Sequence, residues 1–147
     1  SDHTAGNSEL RSIFSTKIVS HIQSKTNSDL KVEDGEVLNI GKIVIRVLYT
    51  PGHTPDSICL LVDKEKLFTG DTLFVGECGR TDLPGGNSKN LYESLFNKLL
   101  SLDDSVEVYP GHDYGSRPSS TIGYERKSNY VLQPRSLTDF IMFMSQP

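Results

Sequence analysis

The sequence predicts a layered fold of sheet and helix, α/β or α+β, and three observations carry that expectation. First, β-rich runs recur around turn dipeptides. Val37-Leu38-Asn39-Ile40 follows Asp34-Gly35, and Ile43 to Leu48 follows Gly41-Lys42, which is a hairpin pattern. Second, Leu91, Leu95, Leu99 and Leu102 recur at helical spacing, with Phe96 and Leu100 widening the stripe. Third, Gly52-His53, Gly70-Asp71 and Gly111-His112 each stand where an apolar, strand-like run gives way to a loop. No internal repeat and no second domain is visible, so residues 1–147 read as one domain.

The elements follow in order. Glu9 to Phe14 reads as the end of a short amphipathic helix, with Leu10, Ile13 and Phe14 on one face. Ile18 and Val19 mark a short strand between Lys17 and His21, and Gln23 to Leu30 is polar enough for a loop or a single turn. Ile58-Cys59-Leu60-Leu61-Val62 lacks alternation, which predicts a strand buried on both faces. Asp63 to Lys66 turns the chain into Leu67-Phe68, which delivers Asp71. Residues 75–90 are rich in Gly and polar groups and predict a long functional loop. Ser88 is placed to cap the leucine-striped helix, and Val106 to Tyr109 reads as a strand feeding His112. Ser119-Ser120-Thr121 offers caps for a helix whose Glu125-Arg126-Lys127 reads as a solvated face. Ser136-Leu137-Thr138-Asp139 resembles a capping box, with Asp for the usual Glu or Gln, ahead of Phe140, Ile141 and Met144.

Composition narrows the function classes. A net charge of −4 gives no electrostatic reason to expect nucleic acid or an anionic membrane as a partner. No apolar run approaches the ~18–20 residues of a membrane span. The chain carries 2 cysteines in different contexts, which do not make a disulfide framework and point to a reduced, cytoplasmic setting.

The three Gly-led motifs carry the chemistry. A Gly lets the backbone turn sharply, so the next side chain points off the sheet edge. Imidazole and carboxylate aimed from several strand ends into one cleft are the donors that a borderline divalent ion prefers. Taken singly, His53 and His112 read as turn histidines and Asp71 as an Asx-turn residue. Taken together they read as a metal site. Cys59 reads as a core residue and His21 as structural or surface. Cys78, in what looks like an exposed loop, is a weak candidate nucleophile for want of an adjacent His.

Asp2-His3, Pro51-Gly52-His53-Thr54, Thr69-Gly70-Asp71 and Pro110-Gly111-His112 resemble, in order and spacing, the metal-binding motifs of the metallo-β-lactamase superfamily. Cys78-Gly79-Arg80-Thr81-Asp82, Leu91-Tyr92-Glu93-Ser94-Leu95 and His112-Asp113-Tyr114 are similar to those of the glyoxalase II-like hydrolases and the related persulfide dioxygenases. The resemblance implies an α+β fold, the αββα metallo-β-lactamase-like sandwich. It also implies an N-terminally incomplete one, because the family motif His-x-His-x-Asp-His is represented only by Ser1-Asp2-His3. Carried over residue by residue, one metal site comprises Asp2, His3 and His112, and the other retains His53, with Asp71 bridging the two. Two zinc ions are the cofactors implied, and a single iron is the alternative.

The implied activity is that of a hydroxyacylglutathione hydrolase, thioester hydrolysis by metal-bound hydroxide, with Asp2 orienting or deprotonating the water. Residues 1–147 alone are then expected to turn over little or nothing. The alternative is an iron-dependent, persulfide dioxygenase-like oxidoreductase. Its substrate would be a small acyl or thiol conjugate in either case. Arg80 is a candidate grip for a substrate carboxylate or a partner for Asp82, and Tyr114 a candidate hydrogen-bond donor at the cleft. If strands are lacking, an uncovered sheet invites self-association.

Overall fold

The computed structural model describes residues 3–146. Its central feature is a six-stranded sheet ordered β10-β9-β6-β5-β4-β3. β3 (Val37–Ile40) and β4 (Ile43–Tyr49) form the expected hairpin, with Ile40 opposite Ile43. β5 (Ile58–Val62) and β6 (Lys66–Gly70) continue the antiparallel meander. β9 (Glu107–Pro110) then adds parallel to β6, and β10 (Ser120–Thr121) closes that edge. A parallel neighbour requires a crossover, and residues 71–106 supply it over one face of the sheet.

That face holds the core. Cys59, Leu61, Leu67 and Val108 point from the strands against Leu91, Leu95, Leu99, Ile122, Val131 and Phe140 from the helical layer. The sequence-predicted leucine stripe is fully buried at all three of Leu91, Leu95 and Leu99. Its helix begins as α2 (Ser88–Tyr92), winds as a π-turn over Glu93–Lys98 and tightens to 3₁₀ over Leu99–Ser101. Four-residue steps drift by about 40° per step in an α-helix, and the wider π winding counteracts that drift. Asn87, one residue before the expected Ser88, is the cap, its side chain accepting the Asn90 N–H. α4 (Leu137–Met144) is capped by Ser136 as expected, but the Asp139 carboxylate binds the Ser136 hydroxyl instead of completing a capping box.

Four further expectations are corrected. β5 alternates, Cys59 and Leu61 buried and Ile58, Leu60 and Val62 half-buried, so only one of its faces lies in the core. Leu30 belongs to a strand, β2 (Leu30–Val32), which pairs in parallel with β1 (Val19–His21). The loop over residues 75–90 contains a strand, β8 (Glu77–Cys78), hairpinned to β7 (Leu73–Phe74). Glu125, on α3 (Ile122–Ser128), is fully buried, not solvated. The expected helix at the start is α1 (Asn7–Phe14). Among the described residues no helix is long and apolar enough to cross a membrane.

Candidate metal centre

Three strand ends converge. β4 leads through Thr50 and Pro51 into Gly52 and His53, β6 ends at Gly70 ahead of Asp71, and β9 ends at Pro110 ahead of Gly111 and His112. Gly52 adopts φ +149°, a conformation L side chains rarely take, and an added Cβ would sit 2.5 Å from the Leu91 Cα. The turn that aims His53 therefore rests directly on the α2 backbone. The neighbouring Thr50 and Thr72 hydroxyls bond one another at 3.1 Å in the buried layer below, tying β4 to the Asp71 turn.

Asp71 is the hub. Its Oδ2 lies 3.0 Å from His3 Nε2 and 3.4 Å from His53 Nε2, and its Oδ1 lies 3.5 Å from His112 Nε2. One donor atom each from His3, Asp71 and His112 falls within 4.8 Å of the others. The His3 and His112 rings meet edge-on at 5.1 Å. The Nδ1 of His53 lies 2.9 Å from the Arg80 carbonyl, which can only accept, so Nδ1 carries the proton and Nε2 presents a lone pair.

These donors fit a divalent ion. Asp71 Oδ1 is buried without a hydrogen-bond partner, a cost that a cation would offset. Imidazole nitrogens and carboxylate oxygens are the donor set that zinc and iron share. The space is also kept clear, because an added Cβ on Gly111 would stand 2.8 Å from Asp71 Oδ1 and 2.9 Å from His3 Cε1. His3, His53, Asp71 and His112 are thus brought together. Asp2 lies outside the described residues.

The remaining sequence candidates line or flank a cavity of about 730 Å³ that opens on His53, Asp71 and His112. Tyr114 is exposed, its ring stacked on His112 at 4.9 Å and edge-on to Phe74 at 5.1 Å. Arg80 is exposed and its guanidinium is committed to Asp82, with Nε 2.7 Å from Oδ1 and a second bond to Oδ2. The hydrogen bond from that guanidinium holds Asp82 down at about 2. Of the two readings of Arg80, the ion pair is the one formed. Cys78 also borders the cavity but is buried, which pushes its thiol up to about 12 and removes it as a nucleophile. Cys59 is a core residue as expected, pushed up to about 11 by burial. His21 is buried and stacked face to face on Tyr49 at 4.0 Å, and desolvation lowers its pKa.

Sequence reasoning missed Phe74, Glu77 and Tyr130, all of which line the cavity. Glu77 lies in the stretch over residues 75–90 read as a loop, and Phe74 just ahead of it, where no periodicity marked which side chains face inward. Tyr130 follows a helix whose buried side was misassigned at Glu125.

Residues 1–112 match the family described as the Metallo-beta-lactamase superfamily. The chain is 35% identical to the mitochondrial persulfide dioxygenase ETHE1 of Homo sapiens over 149 aligned positions, covering 97% of this chain and 57% of that protein. It is 38% identical to a hydroxyacylglutathione hydrolase of Francisella tularensis subsp. novicida over 116 positions, covering 77% and 46%. The crystal structure of ETHE1 from Myxococcus xanthus superposes with a TM-score of 0.90 at 36% identity, covering 97% of this chain and 64% of that one. The chain spans about half the length of the curated relatives it matches, between 45% and 58%. A family match over most of the chain, joined to a close structural likeness in the same superfamily, establishes that this protein belongs to the metallo-β-lactamase superfamily.

Proposed function

We propose that the protein is a metal-dependent hydrolase that cleaves the thioester of a small thiol conjugate. The observation that carries this reading is the Asp71 carboxylate set among three imidazoles, with Oδ2 beside His3 and His53 and Oδ1 beside His112. A carboxylate so placed suits a pair of ions, and paired ions are characteristic of hydrolytic centres. When bound, such ions supply Lewis acidity that polarises a carbonyl and brings water towards a pKa of about 7.

The residues of the chain do the rest. His3, His112 and Asp71 would hold one ion, with Asp2 as a further donor, and His53 and Asp71 would contribute to the other. The Arg80 carbonyl fixes the His53 tautomer. Phe74 and Tyr114 pack against the His112 ring from two sides and orient it. Tyr114 would donate a hydrogen bond to the substrate, and Arg80 can reach a substrate carboxylate only by releasing Asp82. In the reaction water adds to the acyl carbon, the C–S bond breaks, and the departing thiolate takes a proton to leave an acid and a thiol.

A second reading, an iron-dependent persulfide dioxygenase, is favoured by a different observation. The likeness to the human enzyme of that name extends over 97% of this chain, and that to the hydrolase over 77%. The two separate on one preparation of the full-length native protein. Elemental analysis near two zinc per chain with thioester hydrolysis supports the hydrolase. About one iron per chain with oxygen uptake on a persulfide overturns it in favour of the second reading.

A further inference from the structure

Glu77 has no part in the chemistry above, yet it faces the same cavity as His53, Asp71 and His112. Its Oε2 accepts the Tyr130 hydroxyl and its Oε1 accepts the Cys78 N–H at 3.1 Å. Among the described residues no Lys, Arg or His forms an ion pair with it. Of the other carboxylates on the wall, Asp71 belongs to the metal centre. Asp82 is taken by Arg80. Arg135 does not line the cavity; it stacks on Phe143 at 4.1 Å and donates to the carbonyls of Tyr130 and Gln133. An unmatched, half-buried carboxylate on a cavity wall is a recognition element for a cation.

The carboxylate is also held in place. The Gly76 N–H donates to Glu125 Oε2 at 2.8 Å, and Asn129 Nδ2 donates both to that same oxygen at 2.8 Å and to the Glu77 carbonyl at 3.2 Å. Ser120 Oγ completes the buried knot at 2.5 Å from Glu125 Oε1. Backbone and side chain of Glu77 are thus fixed from α3 and the turn after it, so little ordering remains to be done when a ligand arrives. Phe74, Tyr130 and Phe143 line the same cavity and present ring surface, which an alkylammonium tolerates better than an anion does.

We propose that Glu77 is a specificity residue that accepts a hydrogen bond from an ammonium group on the thiol-bearing half of the substrate, so that the cavity selects amine-bearing thiol conjugates. This rests on the thiol-conjugate reading above but not on which bond is broken. The test is calorimetric titration of the full-length native protein with S-hexylglutathione, an inert thioether, and with its N-acetyl derivative. The wild type should bind the free-amine form about tenfold more tightly, the order of one charge-assisted hydrogen bond. Glu77→Gln should bring the two affinities within about twofold. Tyr130→Phe, which removes a competing donor and leaves the charge, should keep the preference. Equal affinities in the wild type, binding of neither probe, persistence of the preference in Glu77→Gln, or its loss in Tyr130→Phe would each overturn the inference. A retained preference without thioester hydrolysis or oxygen uptake would strike the catalytic reading and leave this one standing.

Discussion

Asp71 carries two oxygens towards three imidazoles, and one of those oxygens is buried without a hydrogen bond. Such a carboxylate costs desolvation free energy in the metal-free chain, and an ion recovers it. The thermal midpoint of the wild type should therefore rise on adding zinc or ferrous iron and fall back on chelation. The stabilisation expected is about 2.7 kcal/mol at a hundredfold excess over Kd. Asp71→Asn should keep the metal-free midpoint within a few degrees and lose the response, and a full response in that variant would remove Asp71 from the ligand set. Gly111→Ala should weaken metal binding about tenfold or more in a chelator competition, because its methyl would occupy the space between Asp71 and His3. The two thiols give a pH dependence. Burial raises Cys59 to about 11 and Cys78 to about 12. Their contribution to stability is fully present below the ordinary thiol pKa and is lost as pH rises through that value towards the folded ones, since only the unfolded chain releases the protons there. Stability should fall by about 1 kcal/mol per pH unit per thiol above pH ~9. Urea midpoints from pH 8.5 to 10.5 should decline less steeply in a Cys59→Ala/Cys78→Ala double variant.

At the scale of elements, α3 shows best what the sequence conceals. Its Glu125-Arg126-Lys127 run looks like an exposed face, yet Glu125 turns inward to accept from Gly76, Ser120 and Asn129. Nothing local distinguishes it from an exposed Glu, because its three donors lie on β10, the β7–β8 turn and the end of α3. Glu125→Ala should cost about 3 kcal/mol in equilibrium unfolding, since it strands buried donors, and Glu125→Gln should cost less because one oxygen acceptor survives. A cost below about 1 kcal/mol for the alanine variant would mean that water replaces the carboxylate. By contrast, the Leu91, Leu95 and Leu99 stripe and the β3–β4 hairpin were legible, because periodicity and turn dipeptides are local signals. β1 was read from Ile18 and Val19, but its partner β2 was not, since a three-residue strand leaves no alternation to read. The metal-centre candidates were legible for another reason. A Gly before a His or Asp at a strand end states both the turn and the side chain it aims. What the sequence could not give was the wall opposite, where Glu77 and Tyr130 meet across 53 positions.

The whole molecule has two unlike sheet faces. Cys59, Leu61, Leu67 and Val108 point into the helical layer. By register, Ile40, Ile43, Ile45, Leu60, Phe68 and Tyr109 share the opposite face. There Phe68 stacks on Tyr109 at 5.5 Å, and exposure reaches 64% at Ile40, 45% at Ile43 and 48% at Phe68. β3 ends the sheet on one side and leaves a row of backbone groups available for pairing. Scattered apolar side chains on a surface need no partner, but exposed Ile40, Ile43 and Phe68 on one face beside an open strand edge favour association. Residues 1–147 on their own should therefore self-associate, with light scattering giving a mass that climbs with concentration. Replacing Phe68 and Ile43 together by Ser should return the species towards the 16.3 kDa of one chain without changing the far-ultraviolet circular dichroism. The opposite face supplies the control, because Leu67→Ser lies in the core and should unfold the chain instead of dispersing it. A wild-type sample that stays at one chain's mass across a hundredfold range of concentration would show that this face is stable in water as it stands.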